Sequence, residues 1–264
     1  MTVPIALTIA GSDSGGGAGI QADLKTFQEL GVFGTSVLVA LTAQNTVGVH
    51  GVHEVPADFA TAQLDAVASD LHIDAAKTGM LANAAIIHAV AEGVERHGLA
   101  RLIVDPVCVS KHGDPLLRPE AVDALRERLL PLAEIVTPNL HEVAVLCGVE
   151  VTGVGDLRRA AEAMKDLGPR WVLIKGGHLP DSEDAVDLLY DGEQELRISS
   201  ARLDARDTHG TGCTLAAAIT AHGARGLDVV DAVQAAKEFV TGAIRHALRL
   251  GKGIGPVDHG WRRR

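Results

Sequence analysis

The chain has 264 residues, of which 47% are hydrophobic, 22% are charged and only 3% are aromatic, and its formal net charge is −10. This length and composition predict a single globular domain over residues 1–264, and the acidic balance argues against nucleic acids and anionic membranes as partners. The three cysteines fit no zinc-binding spacing and no apolar run is long enough to span a bilayer, which predicts a cytoplasmic protein.

Predicted strands and helices alternate in the first half of the chain. Apolar runs predict strands at 3–10, 36–41, 49–55 and 73–80, and apolar stripes predict helices at 20–27, 60–71 and 83–97. The glycine-rich loop after the first strand contains a formal dinucleotide fingerprint, G-x-G-x-x-A, at 17–22. That function requires an acidic residue after the next strand to bind the ribose. The next strand is followed instead by T-A-Q-N at 42–45, which argues against NAD.

The same alternation continues in the second half of the chain. Strands are predicted at 101–107, 133–136 and 171–178, a hairpin at 186–190 and 195–199, and helices at 122–129, 140–147, 156–167 and 229–247. No internal repeat or low-complexity linker interrupts the pattern. It predicts an α/β fold of three layers, with a mostly parallel central sheet and helices on both faces.

Polar side chains follow several predicted strands at their carboxyl ends, where open α/β sheets bind ligands. Asp105 ends one strand as a candidate functional carboxylate, and Lys175 ends another beside two glycines, as expected of a phosphate clamp. Gln44 is a candidate for recognising a polar heterocycle, because an amide presents both a donor and an acceptor. Asn139 is expected to cap the next helix, and Glu142 either completes a capping box with it or reaches a metal ion.

A glycine turn at 207–214, D-T-H-G-T-G-C-T, runs directly into an alanine-rich helix. The unpaired N–H groups and the dipole at the start of that helix favour an anion, and Gly210 and Gly212 keep side chains away from it. Cys213 lies at the edge of this predicted anion site, where the pKa of its thiol is expected to be lowered. An anion site beside a candidate base suits phosphoryl transfer to a hydroxyl group.

Eight short motifs occur in order along nearly the whole chain. They are AGSDSGGGAGIQAD at 10–23, TAQN at 42–45, KTGM at 77–80, DPV at 105–107, TPN at 137–139, KGGH at 175–178, HGTGCT at 209–214 and GPVDH at 255–259. This ordered set resembles the hydroxymethylpyrimidine/phosphomethylpyrimidine kinases of thiamin biosynthesis, which belong to the ribokinase superfamily. The resemblance implies a ribokinase-like fold. It also implies an ATP- and Mg²⁺-dependent enzyme that phosphorylates 4-amino-5-hydroxymethyl-2-methylpyrimidine and then its monophosphate.

The resemblance further implies roles for individual residues. The pyrimidine pocket would be formed by Gln44, which would recognise the aminopyrimidine edge, and by Gly11, Asp23, Met80 and Val107. The nucleotide would be bound by Asn139, Lys175, Thr208, Thr211 and Lys237. Mg²⁺ would be bound, directly or through water, by Asp105 and Glu142. The catalytic set would be Lys175, Gly210, Gly212 and Cys213, with the cysteine as the base.

Two features differ from what the resemblance leads us to expect. Ribokinase relatives generally carry aspartate as the base, whereas this chain, like the pyrimidine kinases, has Cys213. In the K-H-G sequence at 111–113, His112 occupies a position where the family more often has a serine. The sequence therefore does not decide whether that loop closes over the substrate.

A pyridoxal kinase is the nearest alternative function, and a non-catalytic pyrimidine-binding protein is the third hypothesis. The family suggests a homodimer, and dependence on a monovalent cation is left open.

Overall fold

The structure is a computed structural model that describes residues 3–108, 117–177, 179 and 182–264. A nine-stranded sheet has the order β3-β2-β1-β4-β5-β6-β7-β8-β9. Its strands are β1 Ile5–Ser12, β2 Phe33–Asn45, β3 Gly48–Glu54, β4 Ala75–Thr78, β5 Leu102–Val104, β6 Ile135–Val136, β7 Trp171–Gly176, β8 Asp184–Tyr190 and β9 Glu195–Ala201. Six neighbouring strands, β2-β1-β4-β5-β6-β7, are parallel to one another, β3 pairs antiparallel with β2, and β8 pairs antiparallel with both β7 and β9. The mostly parallel sheet is therefore confirmed.

Helices cover both faces of this sheet. They are α1 Gly19–Glu29, α2 Ala57–Ala68, α3 Ala84–His97, α4 Pro119–Ala124, α5 Leu140–Cys147, α6 Leu157–Lys165, α7 Thr211–Ala224 and α8 Val229–Arg245. Neighbouring strand residues point to opposite faces, so that Leu7 packs in the core beneath α2 and α3 whereas Ala6 packs in the core beneath α1, α7 and α8. In the part of the chain that the structure describes, no helix is sufficiently long and apolar to cross a membrane.

Two predicted elements differ from the structure in extent. The strand predicted at 101–107 covers only Leu102–Val104; the Asp105 N–H still donates to Thr78 O (3.1 Å), but Pro106 has no N–H to continue the ladder. The helix predicted at 122–129 begins at Pro119 and changes to a π-helical turn at Leu125–Leu129. The carboxyl ends of the parallel strands that precede the candidate residues nevertheless share one edge of the sheet, as predicted.

Candidate active site

The polar side chains at the ends of β5, β6 and β7 converge. Lys175 Nζ lies 2.9 Å from Asp105 Oδ1 and 3.9 Å from Glu142 Oε2, and both carboxylates are buried. Thr137 Oγ1 also donates to Asp105 Oδ1 (3.1 Å). Three charged side chains from different elements thus surround one point, because neighbouring parallel strands deliver their carboxyl ends to the same edge. Their convergence is confirmed, and their roles stay predictions.

Asn139 and Glu142 form the capping box that the sequence allowed. Asn139 Oδ1 accepts from Glu142 N (2.9 Å), and Glu142 Oε2 accepts from Asn139 N (2.8 Å). Burial raises the pKa of the Glu142 carboxyl to about 7; Lys175 opposes this shift and the nearby charge of Asp105 adds to it. The carboxyl therefore caps α5 and also lies within reach of the Lys175 ammonium, so the two interpretations of Glu142 do not exclude each other.

The glycine turn opens directly on this cluster. Gly210 precedes α7 with a φ of 82°, and a Cβ atom there would overlap the carbonyl oxygen of Gly17. A Cβ atom at Gly212 would lie 3.5 Å from Lys175 Nζ and 3.7 Å from Asp105 Oδ2. These distances leave a space about the size of a methyl group beside Gly212, between the first turn of α7 and the Lys175–Asp105 pair. The predicted helix start is confirmed, and an anion beside it would lie close to both the Lys175 ammonium and the positive end of the α7 dipole.

The turn contains three threonines, Thr208, Thr211 and Thr214. Thr211 begins α7, and its hydroxyl and backbone N–H both donate to the carbonyl oxygen of Thr208, at 2.8 and 3.4 Å. Thr214 Oγ1 donates in the same way to Gly210 O (2.8 Å). The hydroxyl groups of Thr211 and Thr214 therefore fix the shape of the turn in this structure, whereas a contact of Thr208 or Thr211 with a nucleotide stays a prediction.

The pKa of the thiol of Cys213, the third residue of α7, differs from the prediction. Burial raises the pKa of its thiol to about 11, although the Lys77 ammonium and a hydrogen bond from the Gly19 N–H both oppose the shift. The prediction of a lowered pKa is therefore wrong, because the loss of water around the thiolate outweighs the helix dipole. The sulfur carries its proton at neutral pH.

A fully buried ion pair lies beneath the site. Lys77 Nζ is 2.9 Å from Asp23 Oδ2, both side chains are fully buried, and Thr8 Oγ1 donates to the same carboxylate oxygen (2.6 Å). Burial alone would lower the pKa of Lys77, but the charges of Asp23, Cys213 and Asp105 outweigh it and raise the pKa. Sequence analysis assigned Asp23 to the pyrimidine pocket and assigned no role to Lys77, since a lysine within a short strand gives no sign that it is buried.

Replacing Lys77 with methionine is expected to lower the free energy of unfolding by about 3–5 kcal/mol, because Asp23 would stay buried without its counter-charge. Urea denaturation of the variant and the wild type measures this difference. The double variant Lys77→Met/Asp23→Leu is the control, since it removes both charges, and it should recover most of the loss. A loss under about 1 kcal/mol in the single variant would show that water or another group solvates the Asp23 carboxylate.

Three of the residues assigned to the pyrimidine pocket, Gly11, Gln44 and Met80, lie at the carboxyl ends of β1, β2 and β4. The Gly11 N–H donates to Met80 O (3.2 Å), and a Cβ atom at Gly11 would be 2.6 Å from Met80 Cε, so a larger residue there would displace the end of the Met80 side chain. Val107 follows Asp105 in the chain, and its N–H donates to Asp105 O (2.9 Å). Gln44 is half-buried near the end of β2. Gly11 and Met80 are therefore in contact, and Val107 lies beside Asp105.

Lys237 has a buried partner on β8. Its Nζ is 2.7 Å from Asp187 Oδ2, and Asp187 Oδ1 accepts from the Gly176 N–H (3.0 Å). Asp187 is the β8 partner of Lys175 in the sheet register. Lys237 is thus linked to the strand end that carries Lys175 through Asp187. Sequence analysis missed Asp187, because a carboxylate within a hairpin strand usually faces solvent.

Asp13 and His209 are two further residues to which sequence analysis assigned no role. His209 Nε2 is 2.8 Å from Asp13 Oδ2, and the same carboxylate accepts from the N–H groups of Gly15, Gly17 and Ala18. Burial would raise the pKa of Asp13, but these hydrogen bonds outweigh it and hold the pKa below its ordinary value. Both residues stand in the motifs quoted above, but nothing in the sequence indicates that they meet. The predictions for Lys111, His112 and His178 lie outside the described residues.

Comparison with known proteins identifies the family. The family model described as phosphomethylpyrimidine kinase matches residues 13–258. Hydroxymethylpyrimidine/phosphomethylpyrimidine kinase of Streptomyces coelicolor is 57% identical over 261 residues, which cover 99% of this chain and 96% of the relative. An ADP complex of Bacillus subtilis pyridoxal kinase is 43% identical with a TM-score of 0.92 and covers 99% of both chains. Phosphomethylpyrimidine kinase of Clostridium difficile 630 is 42% identical with a TM-score of 0.82, covering 92% of this chain and 100% of that one. The chain therefore belongs to the phosphomethylpyrimidine kinase family and has its ribokinase-like fold.

Proposed function

We propose that this protein transfers the γ-phosphoryl group of ATP to the hydroxymethyl group of 4-amino-5-hydroxymethyl-2-methylpyrimidine, and then a second phosphoryl group to the resulting monophosphate. Membership of the family supports the substrate class. The observation that carries the proposal is the space between the start of α7 and the Lys175–Asp105 pair, where a Cβ atom at Gly212 would lie 3.5 Å from Lys175 Nζ. A phosphoryl group in that space would receive hydrogen bonds and a positive charge together.

The residues proposed to bind the two substrates form two groups, one on each side of this space. The pyrimidine side comprises Gly11, Asp23, Gln44, Met80 and Val107. The nucleotide side comprises Asn139, Lys175, Thr208, Thr211 and Lys237. The contact between Gly11 and Met80 supports the first group, and the Lys175 N–H, which donates to Pro138 O (2.9 Å) beside Asn139, supports the second.

The residues present fit Mg²⁺. Asp105 and Glu142 are buried carboxylates on either side of the Lys175 ammonium, and Mg²⁺ in kinases is typically bound by one or two carboxylates together with phosphate oxygens. Asp105 and Glu142 would hold the ion directly or through water, and the bound ion would neutralise charge on the phosphates. A bound cation would lower the pKa of Glu142 from its raised value, because a neighbouring positive charge favours the ionised carboxylate.

Cys213 is proposed to accept the proton of the substrate hydroxyl group. The hydroxyl oxygen bonds to the γ-phosphorus, the bond to the ADP oxygen breaks, and the hydroxyl proton passes to the Cys213 thiolate. Because the pKa of the thiol is about 11, about one molecule in 10⁴ carries the thiolate at pH 7. Phosphoryl transfer through a loose transition state asks little of a base, so positioning by Lys175 and Gly212 supplies most of the acceleration.

Replacing Cys213 with alanine is expected to lower kcat of the first transfer about 10²-fold, because general-base catalysis typically contributes at least that factor. The second transfer should change much less, since its acceptor is a phosphate oxygen that is already ionised at pH 7. The wild-type rate of the first transfer should rise up to about tenfold per pH unit from pH 7 to 9, as the thiolate fraction rises below a pKa of about 11. Separate assays of the two steps measure this, and a flat wild-type profile would rule out the thiolate as base.

A coupled assay of ADP release tests the proposed function. We expect turnover with hydroxymethylpyrimidine and with its monophosphate at kcat/KM values well above the value for pyridoxal. The similarity to Bacillus subtilis pyridoxal kinase is the observation that favours pyridoxal as a second substrate. A higher kcat/KM for pyridoxal would replace the proposed function with that alternative, and absence of ADP release with every acceptor would leave a pyrimidine-binding protein.

We further propose a cytoplasmic homodimer in which each chain is one domain. The continuous nine-stranded sheet supports the single domain. The edge strand β3 supports the dimer, because residues 49–54 are all exposed and Val49 and Val52 carry apolar side chains into solvent. Light scattering of the purified protein tests the dimer directly.

A further inference from the structure

The Asp13 carboxylate is the centre of the first glycine loop. Its Oδ1 accepts from Gly15 N (2.8 Å), and its Oδ2 accepts from Gly17 N (3.0 Å) and Ala18 N (2.8 Å). The residue is only 3% exposed. These three hydrogen bonds determine the course of the loop that runs from β1 to α1. A contact that fixes the position of the Asp13 carboxylate therefore also fixes the loop.

His209, which comes 196 positions later in the chain, also contacts the Asp13 carboxylate. Its Nε2 lies 2.8 Å from Asp13 Oδ2, and its ring packs so closely on Gly17 that a Cβ atom there would be 2.6 Å from His209 Cδ2. The backbone of His209 is fixed on both sides, because its N–H donates to Gly255 O (3.0 Å) and its carbonyl accepts from Val257 N (3.1 Å). The position of the His209 imidazole is thus set by the backbone of the second glycine turn.

The two glycine segments also touch directly, and each carries part of the proposed site. Gly210 lies against the carbonyl of Gly17, and the Gly19 N–H donates to the Cys213 sulfur. On the substrate side, Ser14 Oγ donates to Gln44 O (2.9 Å) and accepts from Gln44 N (2.8 Å). The Gln44 amide Nε2 is 3.4 Å from His209 Nε2. His209 and Asp13 therefore lie between the residue proposed to recognise the pyrimidine and the turn proposed to hold the phosphoryl group.

We propose that His209 and Asp13 are positioning residues that set the distance between the pyrimidine pocket and the phosphoryl site. The pair acts through other groups: the loop at 13–19 and Gln44 on one side, and Gly210 and Gly212 on the other. The inference rests on the proposed function, because it concerns alignment of the acceptor hydroxyl with the γ-phosphorus. Misplacement by about 1 Å is enough to lower a rate 10²-fold.

Two variants of His209 separate positioning from proton transfer. His209→Leu removes the donor but keeps comparable bulk, and we expect kcat to fall about 10- to 100-fold with KM for ATP nearly unchanged. His209→Gln keeps an N–H group that can reach Asp13, and we expect it to recover most of the lost kcat. Thermal denaturation of both variants shows whether each is folded.

A second His–Asp pair in the same chain provides the matched control. His97 Nε2 lies 2.6 Å from Asp65 Oδ1, joining α3 to α2 on the face of the sheet opposite α1 and α7. His97→Leu removes the same kind of contact, and we expect it to leave kcat and both KM values unchanged. A fall in kcat equal to that of His209→Leu would mean that the effect is general destabilisation and would overturn the proposal.

Amide hydrogen exchange gives a readout that does not depend on turnover. In His209→Leu the N–H groups of 15–18 should exchange about tenfold faster than in the wild type, and in His97→Leu they should not. A wild-type kcat in His209→Leu, or a His209→Gln variant as slow as His209→Leu, would overturn the positioning role. If the wild-type protein releases no ADP with any acceptor, the proposed function fails, and the exchange rates alone then decide whether the pair holds the loop.

Discussion

Lys175→Met is expected to lower kcat about 10²- to 10³-fold, because it removes the positive charge that faces the first turn of α7. The ammonium lies 2.9 Å from Asp105 Oδ1 and 3.9 Å from Glu142 Oε2, so its loss also leaves two buried carboxylates close together without a counter-charge. The pKa of Glu142, already raised to about 7, would rise further and the carboxyl would take up a proton. The coupled ADP-release assay and urea denaturation, applied to the same preparation, measure the kinetic and the stability effect separately.

Lys165→Met is the control for this experiment. Lys165 ends α6 and donates to the Pro169 carbonyl (2.9 Å), remote from the carboxylates, so its removal should leave kcat unchanged. If Lys175→Met retained a wild-type kcat while staying folded, the space at the start of α7 would not be where the phosphoryl group is transferred.

Gly210→Ala is expected to abolish detectable turnover and to lower stability at the same time. A non-glycine residue at the observed φ of 82° costs about 1–2 kcal/mol, and the added Cβ would overlap the Gly17 carbonyl. The glycine turn must then shift as a whole, which moves the N–H groups of α7 away from Lys175. We expect kcat to fall at least about 10²-fold, the effect typical of losing one donor to a developing oxyanion.

Gly226→Ala separates backbone strain from the steric clash. Gly226 has a φ of 92°, but a Cβ atom there would have no neighbour within 4 Å. The control variant should therefore lose a comparable 1–2 kcal/mol of stability, about what a left-handed alanine costs, and keep its kcat. Equal kinetic loss in the two variants would contradict the idea that the contact between Gly210 and Gly17 places the anion site.

Most of the fold follows from local patterns in the sequence. Apolar runs and stripes determine where strands and helices lie, and alternation of the two determines a mostly parallel sheet. The predicted strand at 101–107 was too long, because an apolar run does not show where pairing stops; Pro106 stops it. The side chains at strand ends, such as Asp105 and Lys175, were predictable for a topological reason: parallel strands bring their carboxyl ends together.

The residues that sequence analysis missed share a different property. Lys77, Asp187 and His209 each have a partner at least 50 positions away in the chain, and a single sequence carries no signal for such pairs. The ionisation of Cys213 could not be predicted for a related reason. The start of a helix is visible in the sequence and favours the thiolate, but the amount of water excluded around the sulfur depends on the packed structure.

The contact between Asp13 and His209 spans 196 positions, and this separation has a consequence for protein synthesis. Synthesis proceeds from the amino terminus, so β1 and its glycine loop leave the ribosome long before residues 207–212 exist. All nine strands of the sheet end by Ala201, and His209 follows only eight residues later, so the loop after β1 gains its contact with His209 only after every strand has been made. A chain that terminates before Asp207 therefore lacks His209 and the second glycine turn, and the Asp13 carboxylate in such a chain has no imidazole partner.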